Sequence, residues 1–246
     1  MYKLNKLAAG SVIAAAAALA STGVALADGY VAKGKSVVYE RPTDWSGVYF
    51  GVQSGYSWSS IDVTQFGNTA SADFDAGIVG AHIGLQHQFG GVVIGVEGNW
   101  DSAIRDNPGT TDCPNPAFAC EHRFNDVLTV GGRLGWAAGH WMPYVTGGYA
   151  SARFESVTRT KATGVVFDTM GTRNDGWFIG GGFEWQVSPG WSAGLEYRHY
   201  EFDTETGVAY TPAGAFSGFR DLDPSLDTVT ARVSWRWGRP EAKPLK

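Results

Sequence analysis

Seven ionisable residues have the types and the spacing to do chemistry together: Glu97, Arg133, Glu184, Glu196, Arg198, Arg232 and Arg236. Each lies where apolar and polar residues alternate, and each occupies the polar phase. A period of two marks a strand, so all seven fall on one side of their sheet. The opposite side is apolar. On neighbouring strands Glu97 can meet Arg133, Glu184 can meet Arg198, and Glu196 can meet Arg232. Such pairs either neutralise one another as a packed plug or line a narrow path for small ions and solutes.

Other chemistry has less to build on. A lipid-editing enzyme would need a nucleophile and a base near a membrane rim, for which His199 and His122 are the candidates. Spacing places no partner beside either, so no enzyme is expected. Cys113 and Cys120 stand in CPNPAFAC. In an exported chain this spacing predicts a disulfide stapling one loop; it is not CxxC, and no cluster of His or Cys completes a metal site.

The elements that carry these residues are clearest over Asn174 to Phe202. Trp177, Ile179, Phe183, Trp185 and Val187 alternate with Phe178, Gly180, Gly182, Glu184 and Gln186. Ser188-Pro189-Gly190 makes a turn. Trp191, Ala193, Leu195 and Tyr197 then resume the apolar row opposite Gly194, Glu196 and Arg198. This hairpin suits a bilayer outside and a crowded polar lumen inside. The same alternation predicts strands over Trp45–Trp58, Phe74–Phe89, Val92–Trp100, Phe124–Trp136, Trp141–Phe154 and Leu226–Trp237. Together they make eight, joined by connections that alternate long and short. The long ones, Ser59–Asp73, Ala103–Arg123, Glu155–Arg173 and Asp203–Ser225, are predicted as loops. An all-β, antiparallel, up-and-down transmembrane barrel of eight strands follows, with short periplasmic turns and long extracellular loops. Its lumen is just wide enough for side chains to fill, which favours the ion-pair plug over the pore.

The ten tryptophans sit at or near strand ends, as an aromatic girdle requires. Trp45, Trp136, Trp141, Trp185, Trp191, Trp235 and Trp237 mark the periplasmic level, and Trp58, Trp100 and Trp177 the other. Residues 1–27 read as a secretory leader: Lys3 and Lys6, an Ala-rich apolar run, then Ala25-Leu26-Ala27. No later stretch reaches the roughly 20 apolar residues of a spanning helix. The leader holds two lysines and no acid, so removing it takes the formal charge from -5 to -7. Such an acidic exported chain is a poor nucleic-acid binder. Residues 28–44 are a polar periplasmic lead-in, 45–237 the barrel and 238–246 a polar tail.

The strings WSGVYFGVQSGYSW, VIGVEGNW, VGGRLGWA, WMPYVTGGYA and GWSAGLEYRHYEF, in this order, resemble the alphaproteobacterial outer-membrane β-barrel family of porin-like or outer-membrane immunogenic proteins. The resemblance runs from Trp45 to Trp237 and implies an OmpA-like eight-stranded barrel. It also implies passage by periplasmic chaperones and the barrel-assembly machinery. GRPEAKPLK departs from the pattern, since family members usually end on the last strand's aromatic residue. Some relatives bind haem, and His82 and His122 are the residues that could do so here, although no cofactor is expected. The reading is a monomeric, surface-exposed structural protein of antigen or adhesion type in the outer membrane. Its partners would be outer-membrane lipids, lipopolysaccharide, and host or phage molecules at the loops.

Overall fold

The computed structural model describes residues 43–65, 67–107, 109–113 and 115–237; the leader, the lead-in up to residue 42 and the tail expected from the sequence lie outside them. Ten strands follow in chain order: β1 (Gly47–Gln65), β2 (Asn68–Phe89), β3 (Val92–Asn107), β4 (Gly109–Asp112), β5 (Phe118–Trp136), β6 (Trp141–Thr160), β7 (Val166–Ser188), β8 (Trp191–Phe202), β9 (Glu205–Tyr210) and β10 (Phe216–Trp237). Pairing is antiparallel throughout, and β10 returns to β1 with Val52 opposite Val233, which closes the ring. β4 prolongs β3 along β5, and β9 prolongs β8 along β10. The ten strands therefore form eight staves.

Closure explains how an apolar exterior is compatible with this fold. A ring leaves no sheet edge, so every mid-wall backbone group is paired within the sheet and the side chains alone meet the surroundings. Val52, Ile83, Val96, Val130, Val145, Ile179, Leu195 and Val233 point outward and are exposed. The alternate positions point inward and are buried, including Glu97, Arg133, Glu184, Glu196, Arg198, Arg232 and Arg236.

The structure departs from the sequence reading beyond the outer tryptophans. The four segments predicted as loops are strand over most of their length, and the wall continues well past Trp58, Trp100 and Trp177. There the pattern inverts. On β1, residues 48 to 58 put their apolar side chains outward at even positions, whereas Ile61 and Val63 turn inward at odd ones. Ala72, Phe74 and Ile78 of β2, Ala150, Ala152 and Phe154 of β6, and Leu222 and Leu226 of β10 do the same and form one internal apolar cluster. The reason is the solvent. Below the rim the wall faces lipid and its lumen is polar; above it the wall faces water, and apolar side chains are buried inside. The chain thus stacks a small water-side β-barrel core on a membrane barrel, using the same strands for both.

Candidate functional site

The lumen at mid-wall is crossed by a belt of three arginines and three glutamates. Arg133 (β5) meets Glu184 (β7) at 2.5 Å and Glu97 (β3) at 3.6 Å. Arg198 (β8) lies 2.9 Å from Glu97 and 2.7 Å from Glu196 of its own strand. Arg232 (β10) joins Glu97 at 2.7 Å and Glu196 at 2.5 Å. The six formal charges cancel, and all six side chains are nearly inaccessible. Burial of these ions costs solvation that only close pairing and added hydrogen bonds offset. Tyr49 donates to Glu97 (2.8 Å), Tyr144 donates to Glu196 (2.8 Å), and Asn99 and Ser192 donate to Glu97 and Glu184. The Arg133 guanidinium also stacks 3.6 Å from the centre of the Tyr144 ring.

Glycine supplies the room. A β-carbon on Gly84 would stand 2.4 Å from the Tyr49 ring, and one on Gly182 would stand 2.8 Å from the Tyr144 hydroxyl. At these two positions glycine therefore lets a tyrosine that hydrogen-bonds the belt cross the neighbouring strand.

Of the expected pairs, Glu97 with Arg133 and Glu196 with Arg232 are made. Glu184 with Arg198 is not: Glu184 reaches Arg133, two staves away. Arg236 stands apart from the belt near the short-turn end, 4.6 Å over the Trp45 ring, with its Nη1 donating to the Asp44 carbonyl at 3.3 Å. Trp45 is accordingly not a girdle residue. β1 begins at Gly47, whose φ of 132° turns the preceding chain into the mouth. Trp45 is there fully buried against Val93, Met142 and Tyr144, and its backbone N–H donates to Gln88. The other nine tryptophans lie on the outer wall, with Trp141 stacked on Trp185.

The remaining candidates are placed as follows. His82 faces the lumen with Nδ1 2.9 Å from Gln53 and Nε2 2.8 Å from Ser234, so both ring nitrogens are engaged. His122 is buried in the water-side core, and neither ring nitrogen has a hydrogen-bond partner among the described residues. Burial, with the charge of Arg220 adding to it, lowers its pKa to about 4. Near it Arg220 holds Asp168 with two hydrogen bonds, at 3.1 and 2.7 Å. Burial alone would raise the Asp168 pKa, but hydrogen bonds from Arg220, Ser217 and Thr158 outweigh it and hold the carboxyl below its ordinary range. His199 faces outward at the rim and has the partner that spacing did not reveal, Asp227 at 2.8 Å, with Glu201 at 3.3 Å on the other nitrogen. Among the described residues the groups that this ring's nitrogens meet are these two carboxylates. Cys113 and Cys120 form a disulfide between the end of β4 and β5.

A closed antiparallel ring with a lipid-compatible wall, a charged and filled lumen and short turns at one end defines an outer-membrane β-barrel protein. The profile of the family described as outer membrane protein beta-barrel domain matches residues 7–236, and the chain belongs to that family. The chain is also 27% identical over 204 residues to the 31 kDa outer-membrane immunogenic proteins of Brucella melitensis and Brucella suis, covering 76% of this chain and 85% of theirs. Among solved structures it is similar to the outer membrane protease OmpT of Escherichia coli (9% identity, TM-score 0.46, 80% of this chain and 99% of that one). It is likewise similar to OprG of Pseudomonas aeruginosa (9% identity, TM-score 0.44, 78% and 97%). The short-turn end is accordingly periplasmic and the extended end extracellular.

Proposed function

We propose that this protein is a structural, surface-presenting barrel whose lumen is sealed and whose activity lies in its extracellular wall. The neutral belt carries the first half of this reading. Its six charged side chains interlock across the lumen, and Trp45 fills the periplasmic mouth below them. An ion entering the lumen would have to part several charge-assisted hydrogen bonds at once.

The exposed outer tips support the second half. Phe118 and Phe167 lie 4.8 Å apart, Phe216 and Phe219 5.1 Å apart, and Phe167, Phe216 and Phe219 are exposed beyond the wall's apolar core. Exposed aromatics on water-side strands suit contact with host or phage molecules. Planar-bilayer recording of the refolded protein tests the seal. The expected result is silence, with a Glu97→Gln/Arg133→Gln double variant showing openings that the parent lacks. Steady openings of the parent that change with the double variant would instead establish a narrow porin.

A further inference from the structure

One charge buried in the membrane half is not cancelled nearby. Besides the six of the belt, Arg236 and Asp101 are the charged residues buried there. Arg236 stands at the periplasmic mouth beside Asp44. Asp101 lies on the other side of the belt, four residues above Glu97 on β3, and is 3% exposed. Among the described residues no arginine or lysine forms an ion pair with it, and its hydrogen-bond donor is a neutral amide, Gln53, at 2.5 Å. The charge of Arg198 reaches it, but the nitrogens of Arg198 are spent on Glu97, Glu196 and Thr129. A carboxylate shut away from water is costly unless a positive charge is brought to it.

The bonds around Gln53 show what could bring it. Gln53 Oε1 is 2.9 Å from His82 Nδ1, and His82 Nε2 is 2.8 Å from Ser234 Oγ, so one file of hydrogen bonds joins β3, β1, β2 and β10 across the closure of the ring. Glycine opens both crossings: a β-carbon on Gly80 would run into Asp101 Oδ1, and one on Gly51 into the His82 ring. The file takes up a proton without losing a bond. With His82 neutral, Nδ1–H donates to the Gln53 carbonyl, Nε2 accepts from Ser234, and Asp101 stays an anion. With His82 as imidazolium, both ring N–H groups donate, to Gln53 and to Ser234. With Asp101 protonated, the amide turns over: the acid O–H donates to the Gln53 carbonyl, the Gln53 amide donates to Nδ1, and Nε2–H donates to Ser234. The charges that reach the file are those of the belt, from Arg198, Glu196 and Arg232 at Asp101 and from Arg232, Glu97, Glu184 and Glu196 at His82. Tyr49, with its ring 6.2 Å from that of His82, and Tyr200 are the other titratable groups beside it.

We propose that the lumen is a binding site for one proton, held at neutral pH on the Asp101–Gln53–His82 file, and that this proton supplies the positive charge that the belt does not. The belt is neutral by itself, so the added proton brings the whole membrane half to balance. Because the file spans the strands that close the ring, the proton is taken up as the barrel folds. In the unfolded chain Asp and His lose their protons at about pH 3.9 and 6.5, so above pH 7 neither holds one. The folded state then binds one proton more than the unfolded state, and stability falls as the pH rises until the file itself empties.

Urea unfolding of the full chain in lipid vesicles, repeated from about pH 7 to about pH 9, tests this. The folding equilibrium constant of the parent should fall with pH more steeply than that of Asp101→Asn, by about tenfold per pH unit, because the variant has no carboxylate to neutralise and takes up no proton. Asp101→Ser removes the same charge and carries the comparison if the asparagine variant does not fold. Asp62→Asn, which removes an exposed carboxylate from the outer wall, should keep the slope of the parent. Parallel slopes in the parent and in Asp101→Asn would overturn the proposal. Parallel slopes together with a parent that sodium or potassium stabilises over choline at fixed ionic strength would overturn it in favour of a metal cation at Asp101.

Discussion

Val96 and Val233 show how a single side chain reports on which way a strand faces. Both are exposed on the outer wall, opposite Gly132 on β5 and Val52 on β1 respectively. Arginine at either position places a charge against hydrocarbon, at a cost of roughly 2 to 4 kcal/mol near the midplane. Urea unfolding of the variants in lipid vesicles should show that loss, and near-zero cost at both would mean that the strands face the opposite way. The belt residues are informative for a different reason. Their facing was legible from alternation, but their pairing was not, because pairing by adjacent strands ignores contacts across the lumen. Glu97 of β3 reaches Arg198 of β8 and Arg232 of β10, contacts that only a closed and narrow ring allows. The roles of Tyr49 and Tyr144 were not legible, because alternation can set a tyrosine on the inner row without showing that its hydroxyl donates to a buried carboxylate across the lumen. Trp45 reads as a girdle residue for a different reason: its position beside a strand end is shared with the girdle tryptophans, and only the turn at Gly47 sends it inward.

At the scale of the strand, the legible signal was the period and the missed one was its phase. Residues Ser59 to Asp73 look like a loop because Ser, Asp and Thr are dense there. Yet Ile61 and Val63 keep the period of two, shifted by one relative to Trp58, and Ala72 and Phe74 keep it shifted by one relative to Val79. A phase shift within an unbroken period means that the strand has left lipid and entered water. The β4–β5 hairpin is a smaller case of the same extension, and its closure by Cys113–Cys120 is local. A Cys113→Ser/Cys120→Ser variant should release only this tip, with about 2 kcal/mol of local stability lost on the chain-entropy estimate for so short a loop. Limited proteolysis should then nick the chain near Asn115 while the sheet signal in circular dichroism stays intact. Loss of the whole barrel signal would mean that the hairpin is required for folding, which the independent ladders of β1, β2 and β10 do not suggest.

At the scale of the molecule, two barrels in series need not fail together, and acid should separate them. The membrane half is anchored by lipid and by a neutral belt shut away from water. The extracellular half holds His122 neutral, without a hydrogen-bond partner among the described residues, within reach of the Arg220 charge, and holds Asp168 ionised against Arg220. The His122 pKa is lowered from about 6.5 to about 4, so the unfolded wall binds the proton more tightly than the folded one. Its contribution to stability is complete above pH 6.5 and is lost progressively as the pH falls toward 4. Asp168, also depressed in the folded state, acts in the same direction lower down: its contribution is present above its ordinary value of 3.8 and fades below it. The extracellular wall should therefore loosen between pH 6.5 and 4 while the membrane ring stays closed. Hydrogen exchange in vesicles would show it as faster exchange over 118–124 and 166–172 with unchanged protection at 128–134. His122→Gln, which cannot charge, should remove most of the change above pH 4. Equal acceleration in both halves would mean that the two share a single cooperative unit, and the inversion of the strand pattern would then divide the surface of the barrel without dividing its stability.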